Sequence, residues 1–222
     1  MLQVLTSLQL ILIVLVIVYL TVNMIYLVRL EPVSHKLDDP PFVSVCVPAR
    51  DEERGIRACL KSLLEQDYPE FEVIVVNDHS TDHTGELIHE LAGKNSRLIP
   101  LDGEDLPKGW LGKPFALHQA FQKAKGEILL FTDADPVFEP NALRTAVFTM
   151  QERKLDALTL MPKAEFGSFW EKAVQPVIFG FIGSLTRFGK VNSQDQKSAM
   201  GFGAFLMFKR YAYESIGGHE GG

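Results

Sequence analysis

From Val43 onward, short apolar runs alternate with segments of helical spacing, and this alternation constrains the fold more than any other feature of the chain. Val43–Val47 is a β-branched run that ends at Pro48. Arg54–Glu65 carries Ile56, Leu60, Leu63 and Leu64 at helical spacing. Further strands are predicted at Phe71–Val76, Arg97–Leu101, Ile128–Phe131 and Ala157–Met161. Between them, helices are predicted at Thr81–Leu91 with Ser80 or Thr81 as cap, at Pro114–Lys125 ended by Gly126, and at Asn141–Gln151. Apolar strands separated by amphipathic helices imply an α/β fold, with a mostly parallel sheet covered on both faces. Such sheets bind ligands beyond the carboxyl ends of their strands. That rule directs attention to Pro48-Ala49-Arg50-Asp51-Glu52, Asn77-Asp78-His79-Ser80 and Thr132-Asp133-Ala134-Asp135, which are expected on one rim.

The chain before this alternation has a different character. Met1 to Val28 carries no charged residue, and Leu8–Val28 has the roughly 20 apolar residues a bilayer crossing needs. A signal peptide would have a basic start and small residues at its cleavage site. Here the start is uncharged and Tyr26-Leu27-Val28 is bulky, so a retained transmembrane helix is expected, with Tyr19 and Tyr26 near an interface. Arg29 and Lys36 follow the span, which places the rest of the chain in the cytoplasm. The expected organisation is an anchor at 1–30, a proline-punctuated linker at 31–42 and an α/β domain at 43–222. A second apolar stretch, Gly167–Val191, reads equally as a helix at the membrane interface or as a core helix.

The net charge of -6, without basic clusters, argues against a nucleic-acid partner. Cys46 and Cys59 lie among apolar neighbours and are expected as buried free thiols, which suits a reducing compartment. There is no internal repeat. A Gly-x-Gly-x-x-Gly after the first strand, the mark of a dinucleotide-binding oxidoreductase, is missing.

Several strand-end residues suit nucleotide chemistry. Asp133 and Asp135 are two apart after a buried strand, so an extended backbone points both carboxylates the same way. Together they suit a hard cation such as Mg²⁺ or Mn²⁺, although Asp-Ala-Asp-Pro is also good turn chemistry. Asp78 follows an apolar strand and suits a base imide or a ribose hydroxyl, or else a helix cap. Glu52 reads either as a nucleoside contact or as a partner of a helix dipole. Lys113 lies in Pro107-Lys108-Gly109-Trp110-Leu111-Gly112-Lys113-Pro114, with Pro114 expected as the first residue of a helix. A lysine at a helix N-terminus suits a diphosphate; the alternative is a surface lysine. Trp110 reads as a lid, a sugar contact or packing on the sheet edge. His79, His83 and His118 read as loop and helix residues.

Together, Val47-Pro48-Ala49-Arg50-Asp51-Glu52-Glu53, the segment Val75–Thr84 and Phe131-Thr132-Asp133-Ala134-Asp135 resemble the family-two inverting glycosyltransferases of the GT-A fold. Gly109-Trp110-Leu111-Gly112-Lys113, Phe202-Gly203 and Gly217-Gly218-His219 are similar to a narrower group of bacterial transferases acting on carotenoid or other polyisoprenoid lipids. The resemblance implies a Rossmann-like GT-A domain, a nucleotide-sugar donor carrying uracil, a divalent metal and a membrane-associated lipid acceptor. It implies that Pro48, Ala49, Arg50 and Glu52 line the nucleoside pocket, that Asp78 meets the base and that Lys113 meets the diphosphate. Asp133 and Asp135 would flank the metal, Asp135 more directly. Gly201, Phe202, Gly203, Gly218 and His219 would shape the acceptor side. It further implies that the general base and more membrane helices belong after Gly222, so that the domain is incomplete at its C-terminus. Glu220 is a substitute only by its position. The alternatives are a fragment of a processive polysaccharide synthase and a donor-binding scaffold without catalysis.

Overall fold

The computed structural model describes residues 2–26, 30–33, 39–163, 167–186, 188–192 and 200–220. They form two compact units: one from the N-terminus to residue 29 together with 163–200, the other from 30–162 and 201–222. Arg29 and Lys36, on which the expected orientation rests, lie outside the described residues.

The larger unit is a six-stranded sheet in the order β3-β2-β1-β4-β6-β5. Its strands are β1 (Val43–Ala49), β2 (Phe71–Asn77), β3 (Leu98–Asp102), β4 (Ile128–Phe131), β5 (Ala157–Thr159) and β6 (Leu206–Lys209). The first four run parallel to one another, with Val43 opposite both Phe71 and Ile128. β6 enters antiparallel between β4 and β5. The alternation of β1 sends Val43, Val45, Val47 and Ala49 into one core and Cys46 into the other.

The first core is closed by α2 (Ile56–Leu64), α3 (Thr84–Ala92) and α5 (Ala142–Glu152), through Ile56, Leu60, Leu63, Ile88, Leu143 and Met150. The second is closed by α4 (Gly112–Lys123) and α8 (Arg210–Ser215), through Ala116, Leu117, Ala120 and Tyr213. The arrangement is the expected mostly parallel α/β sheet with helices on both faces. Cys46 and Cys59 are free and buried in opposite cores. Burial, then the nearby Asp135, Asp133 and Glu52 charges, push the Cys59 thiol up to about 12.

Three local expectations change. α3 begins at Thr84, not Thr81, because the groups expected to cap it are bound elsewhere. Ser80 Oγ accepts from Asp51 N–H (3.1 Å), and the Thr81 N–H and hydroxyl both donate to Asp51. α4 begins at Gly112, so Pro114 is its third residue, still within the first turn where a missing N–H costs nothing. Gly126 does not cap α4, which ends at Lys123 with Ala124 already extended. Its role is close approach: a Cβ there would lie 2.4 Å from Ser44 N and 2.6 Å from Ile128 O. Buried Ser44 and Glu72 sit beneath this turn. Ser44 donates to Glu72 (2.7 Å) and accepts from Gly126 N–H (2.8 Å), and Glu72 accepts from Lys125 N–H (2.8 Å).

The smaller unit contains α1 (Leu2–Ile25), α6 (Phe169–Leu185) and α7 (Phe188–Val191). α1 is long and apolar enough to cross a membrane over Thr6–Asn23, and nearly all of that stretch is exposed. Tyr19 and Tyr26 near its end are exposed as well. A capping box starts α6: the Ser168 side chain accepts from Glu171 N–H, and the Glu171 carboxylate accepts from Ser168 N–H. α6 is not the core helix allowed by its pattern, since Val177 is 70% and Phe181 64% exposed.

Candidate functional site

The rim beyond β1, β2 and β4 carries the predicted polar residues, and two of its loops are stitched together. The backbone N–H groups of Asp51, Glu52 and Glu53 donate to Ser80 Oγ (3.1 Å), Thr84 Oγ1 (2.8 Å) and Asp82 Oδ2 (3.1 Å). In return, Asp51 accepts from Thr81 N–H (2.7 Å) and Glu53 from His83 N–H (3.3 Å). Asp51 (φ 53°) and His79 (φ 55°) turn each chain sharply in the left-handed region, which aspartate and histidine tolerate better than most residues. Asp82 also accepts from the Thr84 N–H and hydroxyl (2.9 and 2.5 Å); desolvation raises its carboxyl, but these bonds and the one from Glu53 N–H together hold it below the usual range.

This frame sets Asp78 in a slot. Its backbone N–H donates to Ala49 O (2.8 Å), and its side chain is only 14% exposed. His79 Nδ1 lies 3.3 Å and Arg50 Nη1 3.8 Å from the carboxylate. The loop after β3 passes closely over it. A Cβ at Gly103 would stand 3.2 Å from Asp78 Cα, and one at Gly112 3.2 Å from Asp78 Oδ2. The Ala49 methyl points into the core, so only its backbone reaches the rim. Pro48, just before it in β1, is half-buried.

The start of α4 then brings Lys113 onto Asp133, and the ammonium and carboxylate form a short ion pair. The Asp133 carbonyl accepts from the Cys59 thiol (3.7 Å), tying the Asp133–Asp135 turn to α2. Gly55, just before α2, abuts Asp135: a Cβ there would lie 3.2 Å from Asp135 Cβ. Glu52 completes an electronegative group. Burial first, then Asp135, Asp133 and Asp82, raise its carboxyl above the ordinary value, while Lys113 opposes them. Among the described residues no three His, Cys, Asp or Glu side chains group to hold a metal ion by themselves.

On the far side, Thr132 Oγ1 donates to Ala204 O (2.7 Å) and Phe202 N–H to Thr159 Oγ1 (2.8 Å). This brings Gly203 beside the ion pair, where a Cβ would stand 3.6 Å from Lys113 Nζ and 3.7 Å from Asp133 Oδ2. Gly201 packs toward Leu206.

Comparison with known proteins places this arrangement. The glycosyl transferase family 2 profile matches residues 44–217. The chain belongs to glycosyl transferase family 2. Among relatives of this glycosyltransferase chain, the β-monoglucosyldiacylglycerol synthase of Nostoc sp. is 31% identical over 185 residues, 80% of this chain and 38% of that protein. The probable glycosyltransferase YdaM of Bacillus subtilis is 36% identical over 121 residues, 53% of this chain and 29% of that protein. The chain thus spans well under half the length of these relatives. Among solved structures, the mannosyltransferase PcManGT of Pyrobaculum calidifontis, in complex with GDP-Man and Mn²⁺, is 25% identical with a TM-score of 0.64. It covers 91% of this chain and 54% of its own. The fold of this family 2 domain is therefore GT-A-like.

The remaining predicted residues sit further from the ion pair or act indirectly. His219 is half-buried, with its ring 4.9 Å from Phe131 and hydrogen-bonded to the Tyr213 hydroxyl (2.5 Å). Burial, then the charges of His118 and Lys113, lower its pKa. Gly218 (φ 59°) makes the turn that brings it there. Trp110 is not an open lid, because it packs on Phe115 (5.4 Å) and His118 (4.9 Å) of α4. Sequence reasoning did not identify Asp51, Asp82 and Thr84 as the stitching residues, or Gly55, Gly103 and Gly112 as the points of close approach. The density of short polar side chains in Asp78–Thr84 was the available signal.

Proposed function

We propose that this rim binds a nucleoside diphosphate sugar and supports transfer of the sugar, with inversion, to a membrane-associated lipid acceptor, a polyisoprenoid lipid being one such class. The observation that carries this reading is the Lys113–Asp133 pair. It sets a cation and an anion side by side between the Asp78 slot and Asp135. A UDP-type donor fits that order: the base imide at Asp78, the ribose toward Glu52, and the diphosphate at Lys113. The family profile and the GDP-Man held by the Pyrobaculum mannosyltransferase support the class of ligand.

A divalent cation, Mg²⁺ or Mn²⁺, fits the chemistry of Asp133 and Asp135, two hard oxygen donors two residues apart in one turn. With only two such donors, the diphosphate oxygens would complete its coordination. When bound, the ion supplies neutralising charge to the departing diphosphate. Lys113 is shared between Asp133 and the diphosphate, and it releases the carboxylate as it turns to phosphate. The acceptor hydroxyl then attacks the anomeric carbon on the face opposite the leaving group. Its proton passes to a general base as the oxygen–carbon bond forms and the bond to the diphosphate breaks. Gly201, Phe202 and Gly203 border the sugar on the acceptor side, and Gly218 and His219, packed on Tyr213 and Phe131, shape that side further from the ion pair.

The same reading has α1 anchoring the domain on the cytoplasmic side of the cell membrane, in keeping with the glycolipid synthase among the relatives. A competition experiment tests the donor assignment. Lys113→Met should weaken UDP-sugar binding by roughly tenfold, as expected for a lost charge-assisted contact. Uridine, which has no diphosphate, should bind both proteins alike. Equal UDP-sugar affinity in parent and variant contradicts the assignment.

A further inference from the structure

We infer that α6 is a second membrane-embedded element, lying in one leaflet beside α1 with its exposed apolar face against acyl chains. From Ala173 to Leu185 no residue is charged, yet the stretch is shorter than the roughly 20 residues a crossing needs. Apolar helices of that length are core helices or interfacial and re-entrant segments. Phe169, Trp170, Val177, Ile178 and Phe181 are exposed, so no core among the described residues covers them. The capping box fixes the start of the helix, so Phe169 and Trp170 stand at its polar end, as aromatic residues do at a membrane interface.

The second observation is how the break after α6 is satisfied. A helix that stops leaves bare backbone groups, which water meets at a surface and protein must meet at membrane depth. Here Asn23 of α1 meets them. Its amide donates to Gly183 O (2.6 Å) and Thr186 O (2.6 Å), and its side-chain oxygen accepts from Phe188 N–H (3.1 Å). Asn23 is itself buried, near the end of a helix that carries no charged residue. Asn192 adds a bond to Tyr26 O (2.8 Å), and the Thr21 and Thr186 hydroxyls turn back onto carbonyls of their own helices. Among the described residues, these backbone groups of the break are met by protein while the apolar side chains of α6 face outward, the inverse of a water-facing hairpin. Bilayer lipid is the occupant that fits, because α6 is joined at this junction to the helix that itself reads as a span.

The inference rests on α1 being in the membrane, so the test reads both helices. The full chain is placed in phosphatidylcholine–phosphatidylglycerol vesicles as single-tryptophan variants. Trp110→Phe leaves Trp170. Adding Trp170→Phe with Phe181→Trp probes mid-α6, and with Leu12→Trp probes α1. Lipids brominated near the headgroup or at mid-chain quench from within, and acrylamide quenches from water. The expected result is that the probe at 181 loses most of its emission to brominated lipid and little to acrylamide, with Trp170 quenched best by headgroup-proximal bromine. Lipid quenching at 12 with acrylamide quenching at 181 overturns the inference and leaves the anchor standing. Acrylamide quenching at both positions overturns both. A probe at 181 shielded from both quenchers means a second protein covers α6, which also overturns the inference. Donor binding is independent of these readouts.

Discussion

Replacing Asp78 separates its charge from its shape. The carboxylate is largely buried in a slot closed by Arg50, His79 and the backbone at Gly103 and Gly112. If a base imide donates to it, Asp78→Ala removes a hydrogen bond to a charged acceptor, worth about 1.5–3 kcal/mol, or roughly 10- to 150-fold in affinity. Asp78→Asn keeps an acceptor oxygen but not the charge, and should cost about 1 kcal/mol, roughly fivefold. The opposing effect is small. Freeing Arg50 matters little, because its pair with Asp78 spans 3.8 Å and its side chain is 63% exposed. Calorimetric titration of a UDP-sugar and of uridine should show the same ranking for both ligands, parent then Asn then Ala. Thermal melts control for folding, since the Asp78 backbone bond to Ala49 is untouched. Affinity for uridine within twofold of the parent in Asp78→Ala would refute the base assignment.

Three further outcomes follow. The Glu52 carboxyl is raised by burial and then by Asp135, Asp133 and Asp82, so its neutral form favours the fold. That stability is present at acid pH and lost as pH rises through the raised value; Glu52→Gln should therefore raise Tm over the parent at neutral pH, with the difference vanishing in acid. Gly126→Ala should destabilise the larger unit by about 1–3 kcal/mol, read by denaturant melts, because the methyl would meet Ser44 N, Ile128 O and Phe42 O. Asn23→Ala should leave the bonds at the α6–α7 break unmade and speed proteolysis there, with donor affinity unchanged.

What was legible in the sequence was whatever local pattern decides. β1, β2 and β4 announce themselves as β-branched or aromatic runs, and the strand-end rule puts Glu52, Asp78 and Asp133 on one rim. What was not legible depends on pairing between distant segments. Leu206–Lys209 has no alternating pattern of its own, and its strand exists because Lys209 pairs with Ile128 and Leu206 with Phe131. Gly126 reads as a helix stop, yet its position is set by Ser44 and Glu72. Ser80 and Thr81 look like caps, but Asp51, about 30 residues earlier, outcompetes the helix for them. Within the site, residue types were readable and their supports were not. Asp82 and Thr84 hold the loops that hold Asp78, a role visible only once both loops are in place.

The central claim is that Asp133 and Asp135 join a cation to the donor's diphosphate, and a thermodynamic cycle tests it most directly. UDP-sugar affinity is measured with Mn²⁺ and after chelation, in the parent and in Asp135→Ala. The account predicts that chelation weakens binding to the parent by at least about tenfold, a charge-assisted contact's worth. Asp135→Ala should lose the same amount and be indifferent to Mn²⁺. Parent affinity unaffected by chelation, or an Asp135→Ala variant that still responds fully to Mn²⁺, would contradict it.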